Sequence, residues 1–300
     1  MLTVAQAAKK WGLSERRVRV LCSTGRIGGA YQQGRGWLIP DEAVKPEDAR
    51  RKSAASLAGL VEEKKRRLDA CRPLTAGEVE RLREQFAVEY TYNTNAIEGN
   101  TLTLQETALA LQGITVGNRP LKDHLEAVGH KEALDYVYEL VGERVPLDKR
   151  IIREIHQLVL ADKPQDRGVF RSIPVKIMGA LHEPVEPALI EPELDRLLAW
   201  YEADEGPMVA RIARFHVEFE AIHPFIDGNG RTGRLLANLE LMKVGYPPID
   251  VKYADRRQYY DAFDGYHSGK KPDAMEKLFL RYLNERLTHY LGILESEDQS

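Results

Sequence analysis

Residues 223–234 read His-Pro-Phe-Ile-Asp-Gly-Asn-Gly-Arg-Thr-Gly-Arg. A histidine, a carboxylate, a Gly-Asn-Gly turn and two arginines in one short stretch are the side chains that phosphoryl chemistry requires. The helix-forming run Leu235 to Met242 follows at once, so Gly228 to Gly230 open onto a helix N-terminus. Unpaired N–H groups and the helix dipole attract anions there. Glycine on both sides of Asn229 allows positive φ and a close main-chain approach to a phosphate. Arg231 and Arg234 are three apart, so in a first helical turn both point toward one side and present two guanidinium forks to neighbouring phosphates. Asp227 is a hard oxygen ligand of the kind Mg²⁺ combines with substrate phosphates. His223 is suited to taking a proton from an incoming hydroxyl, because imidazole ordinarily titrates near neutrality. Singly, these features read as a turn, a helix end and a solvated helix face; their coincidence favours chemistry.

The segment matches, at every defined position, the His-x-Phe-x-Asp/Glu-Gly-Asn-Gly-Arg-x-x-Arg signature of the Fic family of nucleotidyltransferases, and the resemblance extends over roughly 87–294. Thr94 to Asn100 resembles the family's inhibitory motif, Ser/Thr-x-x-x-Glu-Gly/Asn, and Arg167 to Pro187 resembles its flap, a hairpin over the active site. The resemblance implies a protein adenylyltransferase: AMP passes from ATP to a Ser, Thr or Tyr hydroxyl of a target protein, pyrophosphate leaves, and Mg²⁺ assists. It assigns His223 as general base, Asp227 as Mg²⁺ ligand and Phe225 as the apolar anchor of the loop. Asn229 and the N–H groups around Gly228 and Gly230 would hold the α-phosphate, Arg231 the β-phosphate and Arg234 the γ-phosphate. Tyr259 and Tyr260 are candidates for enclosing adenine, with ordinary helix packing as the competing reading. Where relatives carry an Asn a little further on, this chain reads Gly265-Tyr266-His267.

The helical stretch beginning at Thr75-Ala76-Gly77-Glu78 carries a capping-box pattern and runs toward Asn93, so Glu98 is expected close to a helix C-terminal end. A Glu98–Arg234 pair would occupy the guanidinium that the γ-phosphate needs and place negative charge in the path of the triphosphate. Two alternatives stand beside a self-inhibited AMP transferase. One is a DNA-binding regulator that uses the site only to sense nucleotide; the other is a deAMPylase in which Glu98 orients a water to remove AMP from a modified target.

Over 171–184 apolar and polar residues alternate through Val175, Lys176 and Ile177 and then turn at Gly179, which predicts a small β-hairpin whose edge accepts a target segment by strand addition. The rest of the catalytic part reads as helical, with apolar residues at helical spacing in 121–141, 147–160, 191–201, 207–222, 231–243 and 272–294. The fold class expected is therefore mainly α, an all-helical core with one hairpin flap. His124, His130, His156 and His216 fall within these helices and read as surface or packing residues.

The net charge of −3 conceals an asymmetry: residues 1–52 hold 11 of the 43 Lys and Arg and 5 of the 46 Asp and Glu, giving +6, so the remainder carries −9. Val4 to Trp11, closed by Gly12, and Glu15 to Cys22 behind Ser14 form a helix, tight turn and basic helix. Gly28 to Pro40 then alternates and turns as a hairpin would. The pattern resembles winged helix-turn-helix modules of the excisionase and MerR kind, which implies that Arg16, Arg17 and Arg19 face DNA and Arg35 reaches its backbone from the wing tip. Docking onto protein is the alternative use. The boundaries expected are 1–45 for this module, 46–74 for a linker helix and 75–295 for the catalytic part. Cys22 and Cys71 can form neither a disulfide framework nor a metal site by spacing. No apolar run is long enough to span a bilayer, and Met1 to Gln6 has no basic start, so a cytoplasmic protein without membrane contact is expected. The resemblance also implies pairing with a second copy of the chain.

Overall fold

A computed structural model describes residues 1–34, 36–46, 49–177 and 182–297. The chain divides into two compact units, Met1–Ser56 and Leu57–Ser300. The expected wing-tip residue Arg35 lies outside the described residues.

In the first unit, helix α1 (Val4–Trp11) starts behind Thr3, whose hydroxyl accepts the Gln6 N–H while the Gln6 side chain returns to the Thr3 N–H. It ends on Gly12 in the left-handed region, φ 64°. Helix α2 (Glu15–Ser23) starts on the Ser14 side chain, which accepts from the Arg17 N–H. Val4, Ala7, Ala8 and Trp11 lie on one face of α1 and pack with Val18, Leu21, Cys22, Ile27 and Ile39, the i, i+3, i+4, i+7 spacing of an amphipathic helix. Strand β1 (Leu2–Thr3), β2 (Tyr31–Gln33) and β3 (Gly36–Ile39) form an antiparallel sheet in the order β1-β3-β2, with Leu2 opposite Ile39 and Tyr31 opposite Leu38. Arg16, Arg17 and Arg19 are exposed on α2, and Arg19 pairs with Glu15 at 2.7 Å.

The second unit is helical. After α3 (Ala49–Ala70), which crosses the division between the units, come α4 (Ala76–Ile97), α5 (Leu104–Leu111), α6 (Leu121–Glu143), α7 (Lys149–Val159), α8 (Ile190–Ala203), α9 (Met208–Ile222), α10 (Asn229–Lys243), α11 (Arg256–His267) and α12 (Ala274–Glu297). The Thr75 hydroxyl caps the Glu78 N–H and the Glu78 carboxylate accepts from the Thr75 N–H, which starts α4 as its sequence predicts. Helix α10 is buried on all sides, packed by α9, α6, α7 and α4. A helix so enclosed holds its first turn in a fixed place, which is where the signature loop feeds in. Among the described residues no helix is long and apolar enough to cross a membrane.

The expected flap hairpin has no strand over its described residues. Residues 171–177 and 182–186 form no strand, the sheet among the described residues lies in the first unit, and 178–181 lie outside the described residues. The physical reason is visible in Arg171, whose guanidinium donates to the carbonyls of Ile173 and Val185. Pro174 and Pro184 also remove two backbone donors from any ladder along this segment.

Candidate active site

Helix α9 stops at His223, which caps it in the left-handed conformation with φ 51° and ψ 61° and gives its N–H to Phe219. This reversal swings the chain from α9 into the loop, and three contacts hold the loop rigid. Phe225 is fully buried with its ring stacked on His156, centroids 3.5 Å apart. The Asn229 side chain bridges the Phe225 N–H and C=O, each at 2.9 Å. Arg171, itself buried, gives its N–H to Pro224 at 2.9 Å and its Nε to the His223 carbonyl at 2.8 Å. Phe225→Ala should cost about 3–5 kcal/mol, the usual range for a fully buried aromatic; urea denaturation measures it, and a loss under about 1 kcal/mol would show that the stack does not secure the loop.

His223 Nδ1 lies 3.3 Å from the Glu220 carbonyl, which can only accept, so Nδ1 carries the hydrogen and Nε2 is left as the basic nitrogen. Burial pushes this imidazole down to about 4, against the opposing pull of the Glu220 carbonyl, Glu98 and Asp227. It is therefore neutral at physiological pH, the state a base requires. Burial would raise the Asp227 carboxyl, but hydrogen bonding to Lys163, the Arg231 and Lys163 charges and the Gly228 N–H together hold it at about 2. Lys163 sits directly on one Asp227 oxygen.

The two arginines do not face one way, contrary to the reading from their spacing. Arg231 is 1% exposed and sits between Glu126 at 3.3 Å and Asp227 at 3.4 Å. Arg234 turns toward α4: its Nε donates to the Thr94 hydroxyl at 2.7 Å, Nη2 to the Thr94 carbonyl at 3.1 Å and to Glu98 Oε1 at 2.6 Å. Glu98 stands at the C-cap of α4, and Gly230 is what lets it come so close, since a Cβ at 230 would collide with its carboxylate. The loop's other glycine, Gly228, caps α10 at φ 76°.

A cavity of about 390 Å³ opens over this turn, and Glu98, Glu220, His223, Gly230, Arg234 and Tyr260 are among its walls. Tyr259, though buried, also lines it, its hydroxyl 2.7 Å from His216 Nε2 and 3.4 Å from Arg234 Nη1. Tyr260 is half exposed at the rim. His267 stacks on His182 with centroids 4.4 Å apart, and both border the same cavity.

Sequence reasoning missed Arg171, Lys163, Glu126, Glu220 and the part played by His156. His156 accepts the Gly168 N–H on Nδ1 and gives its Nε2–H to the Asp227 carbonyl, both at 2.9 Å, so it fixes the loop from α7. Arg171, Lys163, Glu126 and His156 have no local signal, because each acts across a long sequence separation, whereas Glu220 lies one turn before His223 and reads there as an ordinary helix acid.

The sequence model of the Fic/DOC family matches residues 146–241. A protein adenylyltransferase Fic of Nematostella vectensis is 36% identical over 181 residues, covering 58% of this chain and 42% of that protein. Its counterpart in Culex quinquefasciatus is 30% identical over 253 residues, covering 79% and 50%. The chain thus spans half or less of the length of these curated relatives. Among solved structures, a Fic domain containing signaling protein from Bacteroides thetaiotaomicron superposes with a TM-score of 0.68 at 28% identity, covering 79% of this chain and 95% of that one. Fic-1 from C. elegans gives 0.69 at 27% identity, covering 83% and 75%. The helical body has the Fic fold.

Proposed function

We propose that the chain is a self-restrained protein adenylyltransferase that moves AMP from ATP to a hydroxyl side chain of a target protein. The observation that carries this reading is one cavity whose walls include the neutral imidazole of His223 and the guanidinium of Arg234, set over the N-terminus of α10. His223 Nε2 takes the proton of the target hydroxyl as that oxygen bonds to the α-phosphorus, and the bond to the bridging oxygen of pyrophosphate breaks. The N–H groups at the start of α10 hold the α-phosphate where charge develops. The Asn229 side chain, spent on Phe225, braces that turn while its N–H remains for the phosphate. Arg231 supplies fixed positive charge below the β-phosphate, and Arg234 receives the γ-phosphate once Glu98 has moved off. Tyr260 lines the wall where adenine would lie, and Tyr259 supports Arg234 from beneath.

Asp227, an ionised hard carboxylate beside the phosphate cradle, fits Mg²⁺, which binds through one or two carboxylates and substrate oxygens. Bound there after Lys163 turns away, Mg²⁺ would neutralise phosphate charge. The target segment would lie along 171–177, where Ile177 borders the cavity. A second reading, removal of AMP from a modified target, is favoured by one observation: the Glu98 carboxylate borders the same cavity as His223.

In the first unit, helix, turn, basic helix and hairpin support a winged helix-turn-helix that meets DNA through Arg16, Arg17 and Arg19. Arg16→Ala should lower the slope of log affinity against log salt by about one, the effect of losing one phosphate contact. Fluorescence anisotropy with duplex DNA measures this, and an unchanged slope would remove Arg16 from the contact.

Intact-mass analysis tests the central reading. Glu98→Gly incubated with ATP, Mg²⁺ and host lysate should yield a protein heavier by one AMP. His223→Ala in the same background should yield none, and an equal gain in both would overturn it.

A further inference from the structure

Glu220 is a carboxyl group that the mechanism above leaves unused. It sits one turn before His223 on α9 and borders the nucleotide cavity. Its side chain is 13% exposed, and its Oε1 is buried without a hydrogen-bond partner among the described residues. Arg234 on α10 spends its guanidinium on Thr94, Glu98 and Tyr259. His223 Nδ1, 4.0 Å from Oε2, is neutral and turned to the Glu220 carbonyl. His216 on the same helix is buried, neutral and bonded to Tyr259 of α11. From α4, Glu98 adds a second negative charge. Tyr259 and Tyr260 on α11 stay protonated, raised by burial.

A carboxyl withdrawn from water without a cation of its own stays protonated, because an unpaired buried charge is far more costly than a neutral acid. Burial, with Glu98 reinforcing it against Arg234, pushes Glu220 up to about 8. The group also lies against the first turns of α10, since a Cβ added at Gly233 would fall 2.5 Å from Oε1. A protonated acid in the cavity wall, beside the first turns of α10, can donate a hydrogen bond to an anion held there.

We propose that Glu220 binds the nucleotide as a neutral acid, donating its O–H to a phosphate oxygen of the triphosphate next to Arg234. This rests on the nucleotide reading of the cavity. The same group makes binding sensitive to alkali. Protonated, it donates; above its titration it becomes a second carboxylate facing the phosphates, so affinity falls as pH rises. Glutamine is the uncharged isostere that keeps a donor at every pH.

The test compares Glu98→Gly with Glu98→Gly/Glu220→Gln, titrating a non-hydrolysable ATP analogue with Mg²⁺ by calorimetry from pH 6.5 to 9, and adenosine as a control. The two proteins should bind the analogue within about threefold of each other at pH 6.5. At pH 9 the Gln variant should bind at least about tenfold more tightly, since removing Glu98 takes away a charge that raises Glu220 and moves its titration down, and adenosine should show no such divergence. Two outcomes overturn the proposal: a tenfold loss in the Gln variant at pH 6.5, which would mean a carboxylate is needed, or curves that coincide at every pH. Infrared difference spectra of the ligand-free proteins give a second readout. The carbonyl stretch of a protonated carboxyl should be present at pH 7 and vanish with Glu220→Gln; its absence from the parent refutes the neutral acid even if no nucleotide binds. Failure of both proteins to bind the analogue, with that stretch present, would instead strike the nucleotide reading and with it the donor role.

Discussion

His223→Ala, made in the Glu98→Gly background, is expected to lower AMP transfer by about 10²–10⁴, the contribution of a positioned general base. The size of the effect follows from how little else in the cavity can replace it. Among the cavity walls, burial raises Glu220 toward its protonated form and Glu98 is removed by the background substitution. His267, a second ring in the cavity wall whose basicity burial lowers, is stacked on His182 at the cavity's edge. The fold should survive, because the helix-capping contacts of His223 are made by main-chain atoms, its N–H to Phe219 and its carbonyl from Arg171, and the side chain adds only the 3.3 Å contact to the Glu220 carbonyl. Affinity for the ATP analogue should therefore change less than about threefold, the small part of binding that a base supplies. A rate that falls only in proportion to nucleotide binding would assign His223 a binding role. The pH profile has a fixed sign as well: the base works as the neutral ring, so transfer should be lost as pH falls through the low titration of His223, toward about 4, and persist above it.

Glu98→Gly is expected to raise transfer at least about tenfold over the wild type. The Glu98–Arg234 contact is a charge-assisted hydrogen bond of 2.6 Å with Arg234 buried. Such bonds contribute about 1.5–3 kcal/mol, and about 1.4 kcal/mol corresponds to tenfold. The Glu98 side chain is 34% exposed, so solvent screens part of this and the lower end applies. Glycine also suits the site, since Glu98 ends α4 and no core contact is lost with its side chain. Quantitative labelling in lysate measures the ratio; rates within twofold of each other would mean that the pair does not restrain transfer.

Much of this site was legible because the signature residues act locally. The apolar period of 207–222 and 231–243, broken by His-Pro and Gly-Asn-Gly, marks two helices joined by a phosphate-type turn, and α9 and α10 begin and end within a few residues of those limits. The capping box at Thr75 and the distance to Glu98 likewise place that acid at a helix end. Local patterning fails where the tertiary fold decides. Spacing alone puts Arg231 and Arg234 on one side, yet Glu126 from α6 and Glu98 from α4 draw them apart. Alternation in 171–184 suggests a hairpin, yet the described residues form no strand there, and Arg171 takes the Ile173 carbonyl within the segment and the Val185 carbonyl just beyond it. Lys163 and His156, which both engage Asp227 from far earlier in the chain, leave no periodic trace at all.

The most direct measurement places the radioactive label at different phosphates of ATP. Glu98→Gly incubated with host lysate and ATP labelled at the α-phosphate should leave label in protein, and ATP labelled at the γ-phosphate should leave none, because pyrophosphate departs. Label retained from the γ-phosphate, or from neither position, would contradict AMP transfer by this cavity.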